Sequence, residues 1–180
     1  MNHCYLFIGP SASGKTSLAE AAFRPEQKII SYTTRDPRVA EEHGRDYYFV
    51  TKKQFKQMVI QDAFAEYDVY DEHYYGIAKE TLRHALTLGD CYDPITATGF
   101  LNLYRAFGEQ MIPVWINISK DTIIQRLEKR ASPEELARRL ALYQADQENY
   151  DRLKQIPQLI EIDGEASLAA MVQELRQRLN

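Results

Sequence analysis

The chain has 180 residues, 44% hydrophobic and 27% charged, with a formal net charge of −4. That length suits one buried core with room for a small inserted lobe and is short for two ordinary domains. The acidic balance speaks against a general binder of nucleic acid or of a membrane surface, because such binders depend on an excess of Lys and Arg.

No apolar stretch approaches the roughly 20 residues of a membrane span, and Met1 to Phe7 carry no basic and apolar leader, so the expected address is the cytoplasm. Cys4 and Cys91 both fall in apolar, strand-like segments and read as buried reduced thiols. His3, His43, His73 and His84 show no ligand spacing, and no structural metal is expected. The sequence assigns no oligomeric state.

In chain order, the apolar run Cys4 to Ile8 predicts a buried strand, and Ser17 to Ala22 has strong helix propensity. Between them lies Gly9-Pro10-Ser11-Ala12-Ser13-Gly14-Lys15-Thr16, which fits the phosphate-loop pattern GxxxxGK[ST] in the strand, loop, helix order that this loop requires. Backbone N–H groups of such a loop wrap phosphates and the helix N-terminus adds its positive dipole end. Gly9, Ser11, Ala12, Ser13, Gly14, Lys15, Thr16 and Ser17 are therefore the expected contacts of a nucleotide polyphosphate, with Lys15 on the outer phosphates and the Thr16 hydroxyl on Mg²⁺.

Further strands are expected at Lys28 to Tyr32, around Cys91 to Ile95, at Ile112 to Ile118 and at Leu159 to Ile162, with helices between several of them. Such alternation predicts an α/β fold with a parallel sheet covered on both faces. Thr51 to Gln54 and Ser132 to Glu135 both read as capping boxes. In the last helix Leu168, Met171, Val172, Leu175 and Leu179 recur at helical spacing and form a packing stripe. Between Tyr32 and Lys79 the pattern changes to short aromatic segments, Asp46 to Val50 and Ala63 to Tyr70, around a helix from Lys52 to Gln61. This predicts a small inserted lobe. The polar connector Ala131 to Leu136, between two arginine-bearing helices, could serve as a lid.

Ser31-Tyr32-Thr33-Thr34-Arg35-Asp36-Pro37-Arg38, followed by Glu41, Gly44, Asp46 and Tyr47, closely matches the guanylate kinase signature S-x-T-T-R-x-P-R...E...G-x-D-Y. Phe64-Ala65-Glu66-Tyr67 and then Tyr74-Tyr75-Gly76 match that family's F-x-E...Y-Y-G element. The chain thus resembles guanylate kinases almost end to end. The resemblance implies a P-loop NTPase-type core (about 1–31 and 80–180), a GMP-binding α+β lobe (about 32–79) and a lid (about 126–140) that together pass the γ-phosphoryl of ATP to GMP or dGMP with Mg²⁺. The residue chemistry agrees. Arg35, Arg38, Tyr47 and Tyr75 supply cationic forks and hydroxyls for a monophosphate. Glu66 can accept the adjacent N1–H and N2–H donors of guanine while the Ser31 hydroxyl donates to O6. Arg126, Arg130 and Arg139 resemble the lid arginines that would meet charge on the transferring phosphoryl group and are expected, with Lys15, to be catalytic.

One segment departs from the family. Where guanylate kinases usually carry D-I-D-x-Q-G, this chain reads Asp93-Pro94-Ile95-Thr96-Ala97-Thr98-Gly99, so Pro94 and Thr96 replace the two carboxylates. Pro94 is expected to end or bend its strand. Asp93 is the remaining nearby carboxylate and is expected to take the outer-shell magnesium role, leaving Thr96 to offer guanine a hydroxyl. The departure keeps two alternatives open: a divergent kinase for another nucleotide or a phosphosugar, and a non-catalytic guanylate-kinase-like binding module. Retained Glu66 speaks against the first, and Lys15, Thr16 and the arginine set against the second.

Overall fold

A computed structural model describes residues 1–128 and 132–179. The strands are β1 (Cys4–Ile8), β2 (Tyr32–Thr33), β3 (Tyr48–Phe49), β4 (Phe64–Tyr70), β5 (His73–Ala78), β6 (Cys91–Pro94), β7 (Met111–Asn117) and β8 (Ile160–Asp163). The α-helices are α1 (Lys15–Ala22), α2 (Lys52–Ile60), α3 (Lys79–Leu88), α4 (Ala97–Phe107), α5 (Lys120–Glu128), α6 (Pro133–Leu153) and α7 (Leu168–Arg178).

Four strands form a parallel sheet in the order β6-β1-β7-β8. Alternation along β1 sends Cys4, Leu6 and Ile8 to one face, where Leu82 of α3, Phe100 and Leu103 of α4 and Leu153 of α6 bury them. Tyr5 and Phe7 face the other way, against Leu18 and Ala19 of α1 and Met171 and Leu175 of α7. Each fully buried Leu or Phe contributes about 1.5 to 3 kcal/mol, so the two faces together form the main core. Trp115 of β7 is fully buried and its ring stacks on Tyr150 of α6 at 4.9 Å. Cys4 and Cys91 lie opposite each other in register as buried free thiols.

The second sheet, β3-β2-β5-β4, is mixed: β2 and β3 run parallel while β5 is antiparallel to β2 and β4. Its packing is aromatic, with Phe55 of α2 fully buried and stacked on Phe64 at 4.4 Å. The α2 start is the capping box read from sequence: the Thr51 hydroxyl accepts from Gln54 N and the Gln54 side chain accepts from Thr51 N at 2.8 Å. At α6 only half of the expected box forms. Ser132 accepts from Glu135 N at 3.2 Å, but the Glu135 carboxylate turns to Arg139, a charged partner that outcompetes a backbone N–H.

Lys28 to Tyr32 does not form the expected strand. Ile29 N donates to Tyr92 O beside the parallel sheet, and the chain then crosses to the other sheet, where Tyr32 pairs with Tyr48 and Gly76. Pro94 ends β6 as expected. Cys91 N and Ile95 N donate toward β1, whereas Tyr92 O faces Ile29, so the alternation turns the missing N–H of Pro94 away from β1. At that position the proline removes no ladder bond to β1.

Candidate active site

The carboxyl ends of β1 and β6, the start of α4, the inner face of β4 and β5, and one face of α6 enclose a cavity of about 590 Å³. One end is the phosphate loop. Gly14 caps α1 at φ 97°, a conformation open to glycine at little cost, and Ala12 at φ 65° shares the left-handed region, so the loop curls and α1 starts toward the cavity. Lys15 Nζ lies back on the loop, donating to Gly9 O and Pro10 O at 2.7 Å each. Burial lowers its pKa to about 8, opposed by Asp146 and reinforced by Arg139 and Arg38. The Ser13 hydroxyl oxygen is buried without a hydrogen-bond partner among the described residues, an unsatisfied polar atom inside the loop.

Asp146, which sequence reasoning passed over, lines the cavity from α6. Burial pushes its carboxyl up to about 6 while Lys15 and the Tyr70 hydroxyl, 3.4 Å away, favour the ionised form. A signal was available: Glu135, Arg139 and Asp146 stand four and seven residues apart, on one helical face. Arg139 donates through Nη1 to Ser11 Oγ and through Nε to Glu135 at 2.9 Å, which fixes its guanidinium over the loop.

Arg126 stands differently from the expectation that it faces the transferring phosphate. Its Nη1 donates to Ala12 O and Ser13 O at 3.2 Å, and its Nη2 to Gly164 O at 2.9 Å. A guanidinium engaged on three carbonyls braces the loop from behind, and Arg126 is not among the cavity-lining residues. Arg130 lies outside the described residues.

The middle of the cavity is cationic and aromatic. Arg35 makes a two-pronged pair with Glu41, at 2.9 and 3.0 Å, and its guanidinium stands 5.5 Å from the Tyr47 ring. Glu41 also accepts from Arg38 N at 2.8 Å, so one carboxylate orients both arginine-bearing segments. Arg35, Arg38, Tyr47 and Tyr75 all line the space between the loop and Glu66.

The far end holds carboxylates. Glu66 is buried in β4, its Oε1 accepting from Ile77 N at 3.2 Å. Burial raises its pKa to about 8, the Ile77 bond working against this and the charges of Asp93 and Asp68 adding to it. The start of α4 presses on it: a Cβ on Gly99 would stand 2.6 Å from Glu66 Oε2, so this glycine leaves the room that the carboxylate occupies. Asp93 is also buried, its pKa pushed up to about 8 by burial, with Ser31 and Lys28 favouring the ionised form. Asp93 lies opposite Leu6 in register, on the face away from α1, and its companions are Ser31 and Glu66. The carboxylate that acts on Lys15 is Asp146. Thr96 caps α4, accepting from Gly99 N at 3.0 Å, and its hydroxyl donates to Asp68 Oδ2 at 2.7 Å.

With the loop and base end in one cavity, the sequence comparisons with known proteins point to one family. Residues 1–158 match the guanylate kinase family model. The chain belongs to the guanylate kinase family. It is 36% identical over 137 residues to a guanylate kinase of Francisella tularensis subsp. holarctica, covering 72% of each chain. To the guanylate kinase of Escherichia coli K12 it is 32% identical over 154 residues, covering 81% of this chain and 74% of that one. The crystal structure of guanylate kinase from Anaplasma phagocytophilum superposes with a TM-score of 0.70 at 18% identity, covering 98% of this chain and 84% of that one, which bears on the fold. Family membership makes the chain a nucleoside monophosphate kinase.

Proposed function

We infer that the chain transfers the γ-phosphoryl group of ATP to the phosphate of GMP, or of dGMP, giving ADP and the nucleoside diphosphate. The observation that carries this is one cavity with a phosphate loop at one end, a buried carboxylate that can read guanine at the other, and arginines between. ATP phosphates seated on the loop would draw Lys15 from the Gly9 and Pro10 carbonyls onto the outer phosphates. The GMP phosphate would lie against Arg35, Arg38, Tyr47 and Tyr75, with guanine directed to Glu66 and Ser31. A GMP phosphate oxygen attacks the γ-phosphorus as the bond to the bridging β–γ oxygen breaks. Arg139 and Lys15 meet the charge that spreads over the transferring group.

Magnesium fits the donor end. Thr16 brings a hydroxyl to the cavity, the unsatisfied Ser13 hydroxyl lies in the same loop, and Asp146 supplies a carboxylate that acts on Lys15. Thr16 would hold the ion and a carboxylate would order its water, supplying charge neutralisation between the phosphates. Asp93, expected in that second role, keeps company with the base end, which favours Asp146 for the water and leaves Asp93 to orient Ser31.

The segment of about 32–79 acts as the closing GMP lobe and that of about 126–140 as the lid, residues 129–131 lying outside the described structure. Contacts from the lobe to α6 support closure as one movement: Tyr70 reaches Asp146, and Asp71 pairs with Arg138 at 2.9 Å. Among the described residues no helix is long and apolar enough to cross a membrane. Together with the net charge of −4 this supports a cytoplasmic enzyme that acts on a small molecule. A coupled assay of ADP formation over GMP, dGMP, AMP, CMP and UMP tests the reading. Turnover of the guanine nucleotides alone is expected, and equal turnover of AMP would overturn the assignment of Glu66.

A further inference from the structure

Guanine presents three N–H bonds along one edge, N1–H and two on the N2 amino group. Glu66 can accept two of them, N1–H and the nearer N2–H, side by side. The third would enter a largely buried pocket, and an unpaired donor there costs affinity. Thr96 is the weaker candidate, because its hydroxyl accepts from Gly99 N and donates to Asp68, which leaves a single neutral lone pair.

Asp68 has the free acceptor capacity. It stands two residues after Glu66 on β4, and the period of two sets both side chains on the same face, where both line the cavity. A carboxylate has about four lone-pair sites. Thr96 Oγ1 takes one on Oδ2 at 2.7 Å and Val69 N takes one on Oδ1 at 2.8 Å, so among the described residues capacity remains on a carboxylate that lines the cavity. The Thr96 bond joins β4 to the first turn of α4, holding Asp68 where these two walls of the pocket meet.

We propose that Asp68 is the second base-reading carboxylate of this enzyme, accepting the outer N2–H of guanine, and that Thr96 is its positioning residue. The carboxylate absent from position 96 is thereby carried by the facing strand, and the threonine left on the helix clamps it. The assignment rests on guanine lying against Glu66 and adds a determinant specific for the N2 amino group.

Inosine monophosphate keeps N1–H and O6 but lacks the N2 amino group and with it both N2–H bonds, so the change in the GMP-over-IMP ratio of kcat/KM when Asp68 is substituted isolates the proposed bond. Asp68→Ala should lower that ratio by about tenfold or more, the worth of one charge-assisted hydrogen bond, through KM for GMP and with KM for ATP unchanged. Asp68→Asn, which preserves shape, should lower it by less, because a neutral acceptor is the weaker one. Thr96→Ser should keep the ratio and Thr96→Val should reduce it. The double variant Asp68→Ala/Thr96→Asp should recover it by returning a carboxylate to the helix. Thermal melts of each variant separate misfolding from altered reading. A ratio unchanged in both Asp68 variants, or equal losses for GMP and IMP, would overturn the proposal while leaving the role of Glu66 intact. Failure of the wild type to prefer GMP over AMP would overturn the Glu66 reading, and this assignment with it.

Discussion

The two ends of the cavity are built on different principles. The phosphate loop is one contiguous stretch whose binding groups are largely backbone, and the atoms that hold it are backbone too: Arg126 grips the Ala12 and Ser13 carbonyls and Lys15 the Gly9 and Pro10 carbonyls. The base end is assembled from side chains on separate segments, Ser31, Glu66, Asp68, Asp93 and Thr96. Backbone geometry tolerates few substitutions. A carboxylate, by contrast, can move from one wall of a pocket to another and still point at the same ligand atom. Of the two replaced carboxylates, the one at Thr96 falls at the base end, which is the end where such an exchange is chemically possible.

Removing Lys15 tests the donor end and should have the largest effect. Lys15→Ala deletes a preorganised cation at the transferring group and should lower kcat by about a thousandfold with an unchanged circular dichroism spectrum. Turnover near the wild-type level would mean that the loop does not bind the donor.

Glu66 tests the base end through both activity and stability. Glu66→Gln should cut the preference for GMP over AMP by about a hundredfold, since one hydrogen bond loses its charge assistance and in place of the other the amide NH2 faces a guanine N–H, donor against donor. Burial holds the Glu66 pKa at about 8 in the free enzyme, and guanine N–H donors favour the ionised form. GMP binding therefore releases a proton, and affinity should strengthen as pH rises toward about 8 and then level off, most simply seen by calorimetry in buffers of different ionisation enthalpy. The stability sign is opposite. Between the ordinary carboxylate range and about 8 the native state holds a proton that the unfolded chain has lost, so stability falls as pH rises through that window. Glu66→Gln should raise Tm at pH 8 and change it little at pH 5. A Tm gain of equal size at both would refute this account of the buried carboxylate.

Arg139 sharpens the contrast within the donor end. It is held by Glu135 and Ser11 above the loop, whereas Arg126 braces the loop from behind. Arg139→Ala should lower kcat by about a hundredfold with KM for both substrates within about threefold, the pattern of a group that acts in the transition state. Arg126→Ala should instead weaken ATP binding and lower Tm, because the carbonyls it satisfies become unpaired. Identical profiles for the two variants would erase the distinction.

How far each end could be read from sequence follows the same division. The β1 limits, the loop and the Thr51 capping box were legible because each depends on residues adjacent along the chain. Motifs such as Arg35 to Arg38 and Glu66 came from family resemblance, and the fold brings them to one cavity. Lys28 to Tyr32 was misread because its apolar pattern suits a strand in either sheet, and only tertiary pairing decides that it passes from one to the other. Strand β5 was hidden inside the Tyr74-Tyr75-Gly76 motif. Asp68 and Asp146 went unseen because their roles depend on partners 28 and 131 residues away, Thr96 and Lys15.

The smallest expected effect concerns which carboxylate orders water on the magnesium ion. Proximity in sequence favours Asp93, three residues before Thr96 and next to the strand end. Strand alternation argues otherwise, since Asp93 shares the face of Leu6, while its neighbour Pro94 stands opposite Phe7, on the face covered by α1. Asp93 accordingly acts on Ser31, Tyr47 and Glu66, and the carboxylate that bears on Lys15 is Asp146 of α6. Outer-shell partners are typically worth about tenfold or more in metal affinity. Asp146→Asn should therefore raise the magnesium concentration for half-maximal activity by about tenfold, whereas Asp93→Asn should leave that midpoint within about twofold and act on KM for GMP. The reverse result, a magnesium midpoint that follows Asp93, would mean that the donor and base ends share a carboxylate and that the division between them is not carried into the working enzyme.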